Sequence, residues 1–482
     1  MSAAAAPRIA IVGAGAAGLV CARELMQVGM QVVVFERLAQ GSGCGGVWQH
    51  SQGGAMYRHL RTNLPKEVMA YIGHPYDPSL PSFVGHADVG SYLDGYATEQ
   101  GVLGAIRWSS EVVAATPVGP EAASSPSPLQ ARLGGRFLPW LVTVAETATR
   151  AERTEQFDAL LVCNGHFTLP DIPVYPGLDR FPGRVIHAVD YDDPLDLAGL
   201  SVLVVGTASS GTDIAWELTS TAASVAVSQR SLSAEQQAQM STEPPAPGRA
   251  PLAHRGAIEA LHSDGTVEFV GGERLAVDVV VLCTGYVYSI PFVQLPSFVP
   301  AVTTPPAAGG ATQDPDEVGS LVGGGGRRVS WLWRQFLHAH IPSLCCIGLT
   351  YGIIPCQLFQ CQALWLASLY TGALKLPDET KLVADVEQQY AEVVAQPGGW
   401  PRHAHRMGNG QWDYNRMLAS EALAHEPERQ QDFLRWINTN EEINSAVQES
   451  RPKRPGASDV YRDSEYTVDR QTGSWDSRAA SL

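Results

Sequence analysis

Three glycines near the amino end, Gly13, Gly15 and Gly18, have the spacing by which a backbone wraps a pyrophosphate. The first permits a tight turn and the second lets the backbone approach phosphate oxygens. The third lets a helix pack close to the preceding strand, so that an anion rests on the helix N-terminus. The whole turn, Gly13, Ala14, Gly15, Ala16, Ala17 and Gly18, is expected to contact a dinucleotide. Glu36 ends the next apolar run, where a carboxylate can accept hydrogen bonds from adenosine ribose hydroxyls. A second turn of similar form contains Gly206, Thr207, Ala208, Ser209, Ser210 and Gly211. The same distance along the chain that separates Gly13 from Glu36 leads from Gly206 to Gln229, flanked by Ser228 and Arg230. A carboxylate there would repel a ribose 2'-phosphate, whereas a guanidinium and a hydroxyl bind one. The second turn is therefore expected to take NADPH in preference to NADH. Ala208, in place of a middle glycine, adds a methyl near the pyrophosphate. One such turn is a weak signal; two argue for two dinucleotides and electron transfer between them.

Positioning these turns requires a strand before each and a helix and second strand after. Apolar runs over 9–12 and 31–35 flank a helix reaching about residue 28, and runs over 202–205 and 224–228 flank one reaching about residue 220. The expected fold class is α/β, with two Rossmann-like dinucleotide-binding domains, the second inserted into the first. The expected divisions are residues 1–168 and 329–451 for the first domain, 169–328 for the second, and a poorly ordered C-terminal tail over 452–482. Three stretches rich in Pro, Gly, Ser and Ala, 119–135, 236–256 and 301–327, read as surface insertions.

With 45% hydrophobic and 17% charged residues, the 482-residue chain can bury more than one core. Its formal charge of -16, from 49 acidic against 33 basic residues, disfavours a nucleic acid partner. The eight cysteines lie mostly in apolar runs without CxxC spacing, which predicts reduced buried thiols in an intracellular protein and no metal site. Residues 341–374 carry no charged side chain, but Pro342, Gly348, Gly352, Pro355, Gln357, Gln360 and Gln362 interrupt the run. Buried core is expected there, with no transmembrane span. The stretch before residue 8 is too short for a signal peptide. Ala480, Ser481 and Leu482 lack the lysine of a peroxisomal Ser-Lys-Leu address, so a cytoplasmic protein is expected.

Phe181, Gly183, His187 and Tyr191 fit FxGxxxHxxxY, and this chain resembles the flavin-containing monooxygenases, which carry that fingerprint ahead of their second glycine turn. Gly45, Gly46 and Trp48 look like the family's GGxW turn. Tyr57, Leu60, Thr62, Asn63, Pro65, Lys66, Glu67 and Met69 are similar to its YxxLxTNxPKExM segment. Cys283, Thr284, Gly285 and Tyr286 resemble its ATGY, and Pro355, Phe359, Gln362 and Ala363 its late P...FxxQA segment. The form of the Asn63 segment, with Asp413, Tyr414 and Asn415, leans toward the plant and fungal branch.

The resemblance implies FAD on the first unit and NADPH on the second, with further cofactor contacts at Val47, Trp48, Leu60, Thr62, Asn63, Thr284, Gly285 and Gln362. It also implies the chemistry: reduced flavin adds O2 as a C4a-hydroperoxide, whose distal oxygen passes to the sulfur of a small thioether or the nitrogen of an amine. Asn63 is the implied catalytic residue, a hydrogen-bond donor near the hydroperoxide. Its alternative is an amide capping the turn before Pro65, as Trp48 is alternatively core. His187 is expected to be architectural. Ala188, Val189 and Asp192 depart from the family's HSHxYR, Gln360 stands where an acid is usual, and Cys283 where alanine is usual; these make substrate choice less transferable. Tyr191 in place of tryptophan speaks against Baeyer-Villiger chemistry. That reaction and uncoupled NADPH oxidation to H2O2 are the competing activities, and a homo-oligomer is left open. A disulfide reductase would need paired cysteines beside the flavin, where the chain has Cys44 alone.

Overall fold

Near-continuous apolar strands belong in a parallel sheet covered on both faces, and the strand Arg8–Val12 is such a strand. It lies between Gln31–Phe35 and Ala159–Val162, parallel to both. The computed structural model describes residues 5–51, 53–119, 125–232, 248–300, 320–396, 401–451 and 460–478. Its largest sheet has seven strands in the order Leu332–Trp333, Leu337–His338, Leu344–Cys346, Ala159–Val162, Arg8–Val12, Gln31–Phe35 and Ile106–Arg107. The helix Ala16–Gln27 packs against the helix Pro355–Thr371. A three-stranded antiparallel sheet, Ser110–Pro117, Trp140–Glu146 and Glu152–Phe157, docks through Phe157, which meets Phe35 edge to face at 5.8 Å.

A second, wholly parallel sheet runs Leu252–Arg255, Ser224–Ser228, Ser201–Val205, Val279–Leu282 and Arg184–His187. The helix Ser209–Leu218 buries Ile214, Ala215 and Leu218 in one core with this sheet. Phe269 and Val267, from a small antiparallel sheet, share the other core with Leu203 and Val205. The first sheet thus takes strands from both ends of the chain and the second from its middle, the topology of an inserted domain.

Several expectations need correction. By Tyr288, Ile290 and Phe292 the chain is already back in the first core, so the second unit ends near the short pairing of Tyr286–Val287 with Leu169–Pro170 rather than at 328. Conversely, Tyr57 belongs to the second unit's core. The stretch 119–135 contains a helix, Pro128–Leu133, whose Ser127 cap and Gln130 satisfy each other's backbone N–H groups. The stretch 236–256 supplies the edge strand Leu252–Arg255, and 301–327 ends in a hairpin strand whose turn uses Gly324, Gly325 and Gly326, all at positive φ. The remaining parts of those stretches, 120–124, 236–247 and 301–319, lie outside the described residues, as do Ala480, Ser481 and Leu482.

The expected loose tail folds in its described part. A 3-10 turn, Val460–Asp463, leads into a hairpin of Glu465–Val468 and Trp475–Arg478. Tyr466 is buried, and the Arg470 guanidinium lies 3.5 Å above the Trp436 ring. A few aromatic anchors, spaced through a charged run, are enough to hold it.

The uncharged run 341–374 forms the buried strand Leu344–Cys346 and the helix Pro355–Thr371, which is apolar on almost every side. Among the described residues no helix is long and apolar enough to cross a membrane. All eight cysteines are buried and free, and burial pushes the Cys283, Cys345 and Cys356 thiols up to about 12.

Two buried histidines, His405 and His338, and the half-buried His166 are held neutral. His405 accepts from the Val329 N–H through Nε2 at 3.0 Å and meets Gln335 Oε1 through Nδ1 at 2.7 Å. Burial lowers His405 and His338 to about 3 and His166 to about 4. Each takes up its proton only on unfolding, so between the folded value and the unfolded value of about 6.5 acid favours the unfolded chain. Stability is expected to be full above about pH 6.5 and to fall below it by up to about 1.4 kcal/mol per pH unit for each histidine. Urea midpoints measured from about pH 8 to pH 5 check this; a flat profile across that window would refute the neutral assignment.

Candidate active site

The two glycine turns show what each glycine is for. Gly13 has φ +101°, and a Cβ there would lie 2.7 Å from the Cys163 carbonyl oxygen. A Cβ on Gly18 would overlap the Gly13 carbonyl oxygen. Gly15 differs: its Cβ would meet nothing closer than Gly46 Cα at 3.7 Å. The fold itself therefore demands glycine at 13 and 18 and not at 15, where open space suits a ligand's close approach. The helix Ala16–Gln27 starts from Gly15 with no side-chain cap, leaving its first N–H groups for an anion. Glu36, nearly buried, accepts from Ala14 N at 2.8 Å and Leu38 N at 3.0 Å. These two bonds fix the carboxylate, and each oxygen keeps a further lone pair for ribose hydroxyls. The residues present therefore fit an adenosine diphosphate moiety.

Gly45 and Gly46, at φ +114° and +58°, bring the next loop against this turn, with Gly45 N donating to Ala14 O at 3.0 Å. Val47 and Trp48 follow in a half-buried 3-10 turn, Gly46–Trp48, and Trp48 packs on the first core. Thr62 is buried with its Oγ1 lacking any protein partner, an acceptor and donor left for a bound group.

The second turn repeats the construction. Gly206 has φ +109° and its Cβ would collide with the Cys283 carbonyl oxygen; a Cβ on Gly211 would overlap Gly206 O. Ala208 has φ -73° and ψ -174°, nearly the geometry of Gly15, so its methyl is accommodated without strain. The helix Ser209–Leu218 also lacks a side-chain cap, and Ala208, Ser209 and Ser210 are exposed at its start, with Thr207 half-buried before them.

Two expected contact residues carry protein hydrogen bonds of their own. Ser228 is buried and its hydroxyl donates to Gly256 O at 2.8 Å, while Arg230 is exposed just beyond the strand. Arg255, the register partner of Ser228, ends the neighbouring strand as a second guanidinium, paired with Glu273 at 3.0 Å. It went unnoticed in sequence because its strand lay inside a presumed insertion. Gln362 faces Tyr414, donating to its hydroxyl at 2.8 Å, and no hydrogen bond joins it to either glycine turn.

The junction between units gathers the fingerprint residues. His187 donates through Nε2 to Gly285 O at 3.0 Å and accepts through Nδ1 from Val189 N at 3.2 Å; burial lowers its pKa, and both nitrogens are used structurally. Thr284 donates to Asp171 O at 2.6 Å beside it. Tyr191 meets Glu217 at 2.7 Å and Tyr57 edge to face at 5.6 Å, while Leu60 packs on the same core. Asn63 crosses the junction: its Nδ2 donates to Ser209 Oγ at 3.1 Å.

Two uncapped helix starts on two parallel sheets, joined by an amide from one unit to the helix start of the other, define a two-dinucleotide oxidoreductase. Residues 6–236 match the family model described as Flavin-binding monooxygenase-like. The chain is 31% identical over 446 residues to the flavin-containing monooxygenase FMO GS-OX-like 4 of Arabidopsis thaliana, covering 87% of this chain and 88% of that one. Among solved structures it is similar to the S-allyl-L-cysteine S-oxygenase of Allium sativum, at 29% identity and TM-score 0.75, with 95% of each chain covered. It shares the fold of Tmm from Pelagibacter sp. strain HTCC7211, at 20% identity and TM-score 0.72 over 97% of this chain and 95% of that one. The chain belongs to the flavin-containing monooxygenases. It is a flavoenzyme of the oxidoreductase class, with FAD and NADP(H) as its cofactors.

The contrast between Gly15 and Gly18 is testable. Gly15→Val should fold and purify without flavin, since a Cβ there makes only ordinary contact with Gly46 and the added branch blocks the ligand. Gly18→Ala should instead lose stability, because its Cβ strikes backbone. Flavin absorbance and melting temperature separate the two; a yellow, fully loaded Gly15→Val protein would contradict the site.

Proposed function

We propose that this protein is an NADPH- and O2-dependent monooxygenase that places one oxygen atom on the soft sulfur of a small thioether, with amine nitrogen second. The observation that carries the reading is the Asn63 amide at 3.1 Å from Ser209 Oγ, a donor from the first unit held at the helix start of the second. When bound, FAD supplies hydride acceptance from NADPH and activation of O2. The chain's residues do the rest. Gly13 to Gly18 and Glu36 hold the adenosine end of FAD. Gly206 to Gly211 receive the pyrophosphate of NADPH, and Arg230 selects its 2'-phosphate. Thr62, whose buried hydroxyl has no protein partner, and Asn63, whose amide reaches the second unit's helix start, would supply polar contacts to the bound cofactors. Likeness to a garlic S-oxygenase at 29% identity supports sulfur as the target. Tyr191, bonded to Glu217, supports a reading apart from Baeyer-Villiger chemistry. Buried free thiols support a reducing, cytoplasmic setting.

Arg230→Ala is expected to raise the KM for NADPH by about 10- to 150-fold, the worth of a charge-assisted contact, and to leave that for NADH nearly unchanged. Steady-state kinetics with both cofactors decides; equal losses would make Arg230 structural.

The activity itself is tested by incubating enzyme and NADPH with methyl phenyl sulfide, a tertiary amine and cyclohexanone, and detecting oxygenated products by mass. Sulfoxide is expected and ester is not. Asn63→Leu should keep NADPH-driven flavin reduction but divert oxygen to H2O2, lowering the product yield per NADPH. Ester without sulfoxide would overturn the proposal, and unchanged coupling in the variant would reduce Asn63 to a turn residue.

A further inference from the structure

The C-terminal segment read in sequence as a loose tail carries a buried cation that joins the two units. Arg462, 6% exposed, donates through Nη2 to Asp213 Oδ2 at 2.7 Å. Asp213 lies four residues after Ser209 in the second unit's helix, so both occupy one face of it. The same 3-10 turn grips the segment that bears Asn63. Arg61 donates to the Arg462 carbonyl oxygen at 2.7 Å and pairs with Asp463 at 3.1 Å. Further along, Glu465 accepts from Ser82 N at 3.1 Å, and Ser82 O in turn receives Lys66 N at 2.6 Å. Arg470 donates to Glu67 O at 2.9 Å. The segment from residue 61 to residue 67 is therefore fastened on both sides of Asn63, and Arg462 extends the fastening to the helix that presents Ser209.

We propose that Arg462 is a positioning residue: through Asp213 it sets the second unit's helix against the Asn63 segment, and so controls how tightly the nicotinamide cofactor is retained while oxygen is transferred. The pair suits this work. Burial opposes the guanidinium's charge, yet the Asp213 carboxylate raises its pKa above the ordinary value, so the cation persists at any working pH. Removing the Asp213 carboxylate takes from the buried guanidinium the contact that most favours its charge, so the link is costly to break. Its placement one helical turn from the Asn63 contact means that a shift of the helix alters both together. The effect on coupling rests on the proposed monooxygenase function; the effect on cofactor affinity does not.

A double-mutant cycle on the full-length holoenzyme tests this, using R462Q, D213N and the double variant, with R462K as the conservative replacement. The readouts are the Kd for NADP+, the ratio of H2O2 to oxygenated product, FAD content and melting temperature. Each single variant is expected to weaken NADP+ binding roughly tenfold, within the usual range of coupling between linked sites. Each should raise the H2O2 share while FAD content stays full. The double variant should be no worse than the worse single, and R462K should recover part of the loss. If R462Q does not fold, the isosteric D213N carries the same expectation. A lowered melting temperature with unchanged NADP+ affinity would overturn the proposal, showing a structural staple only; strictly additive losses would overturn it as well. Should the wild type make no oxygenated product while NADP+ affinity still follows the cycle, the function falls and the positioning role stands.

Discussion

Everything else in the molecule follows from one repeated close approach, in which a helix start is pressed against the carboxyl end of a parallel strand until only hydrogen fits between them. Gly18 against Gly13 O and Gly211 against Gly206 O are the two instances. At such a distance the helix N–H groups cannot be covered by side chains from the strand side, and neither helix carries a capping side chain of its own. A helix start left uncapped at the carboxyl end of a parallel strand, behind a glycine turn, can be satisfied from outside, and an anionic phosphate suits it. The rest of each unit, a parallel sheet buried on both faces, keeps those starts rigid and aimed.

This constraint also explains what was legible in the sequence. Glycines at 13, 18, 206 and 211 are required by backbone contacts a few residues away, so their spacing alone reports the geometry. Glu36 and Arg230 sit at strand ends whose position the turn dictates, and their charges distinguish the two sites. The contact between Asn63 and Ser209 was not legible, since no local pattern joins a loop of the first unit to a helix of the second.

Where sequence reasoning missed, the deciding contact lay far along the chain. The Ser228 hydroxyl has a neighbour in Gly256 because Leu252–Arg255 forms the sheet edge, and that strand hid in a Pro- and Gly-rich stretch. Gln362 lies on a helix buried almost all round, which has no polar face to reveal its orientation. The inserted domain ends well before the composition changes, because the segment from Tyr288 to Val299, placed in sequence with the second domain, fills the first core. The tail was misjudged for the opposite reason: its charged residues, Arg462, Glu465 and Arg470, are not surface decoration but the parts that dock.

Between the units, the kind of contact matters more than the number. Hydrophobic continuity is modest there, supplied by Tyr57 and Leu60 reaching into the second core, while Asn63 with Ser209 and Arg462 with Asp213 are polar and directional. Apolar surfaces slide over one another at little cost, whereas hydrogen bonds weaken steeply away from their preferred geometry. A junction made in this way favours one alignment, which an oxidoreductase needs when two separately bound cofactors must meet at a single point. The buried charge of Arg462 sharpens that preference, since any displaced arrangement leaves a guanidinium without its carboxylate. In the proposed arrangement, alignment depends on the turn Val460–Asp463 as much as on the glycine turns near the start of the chain.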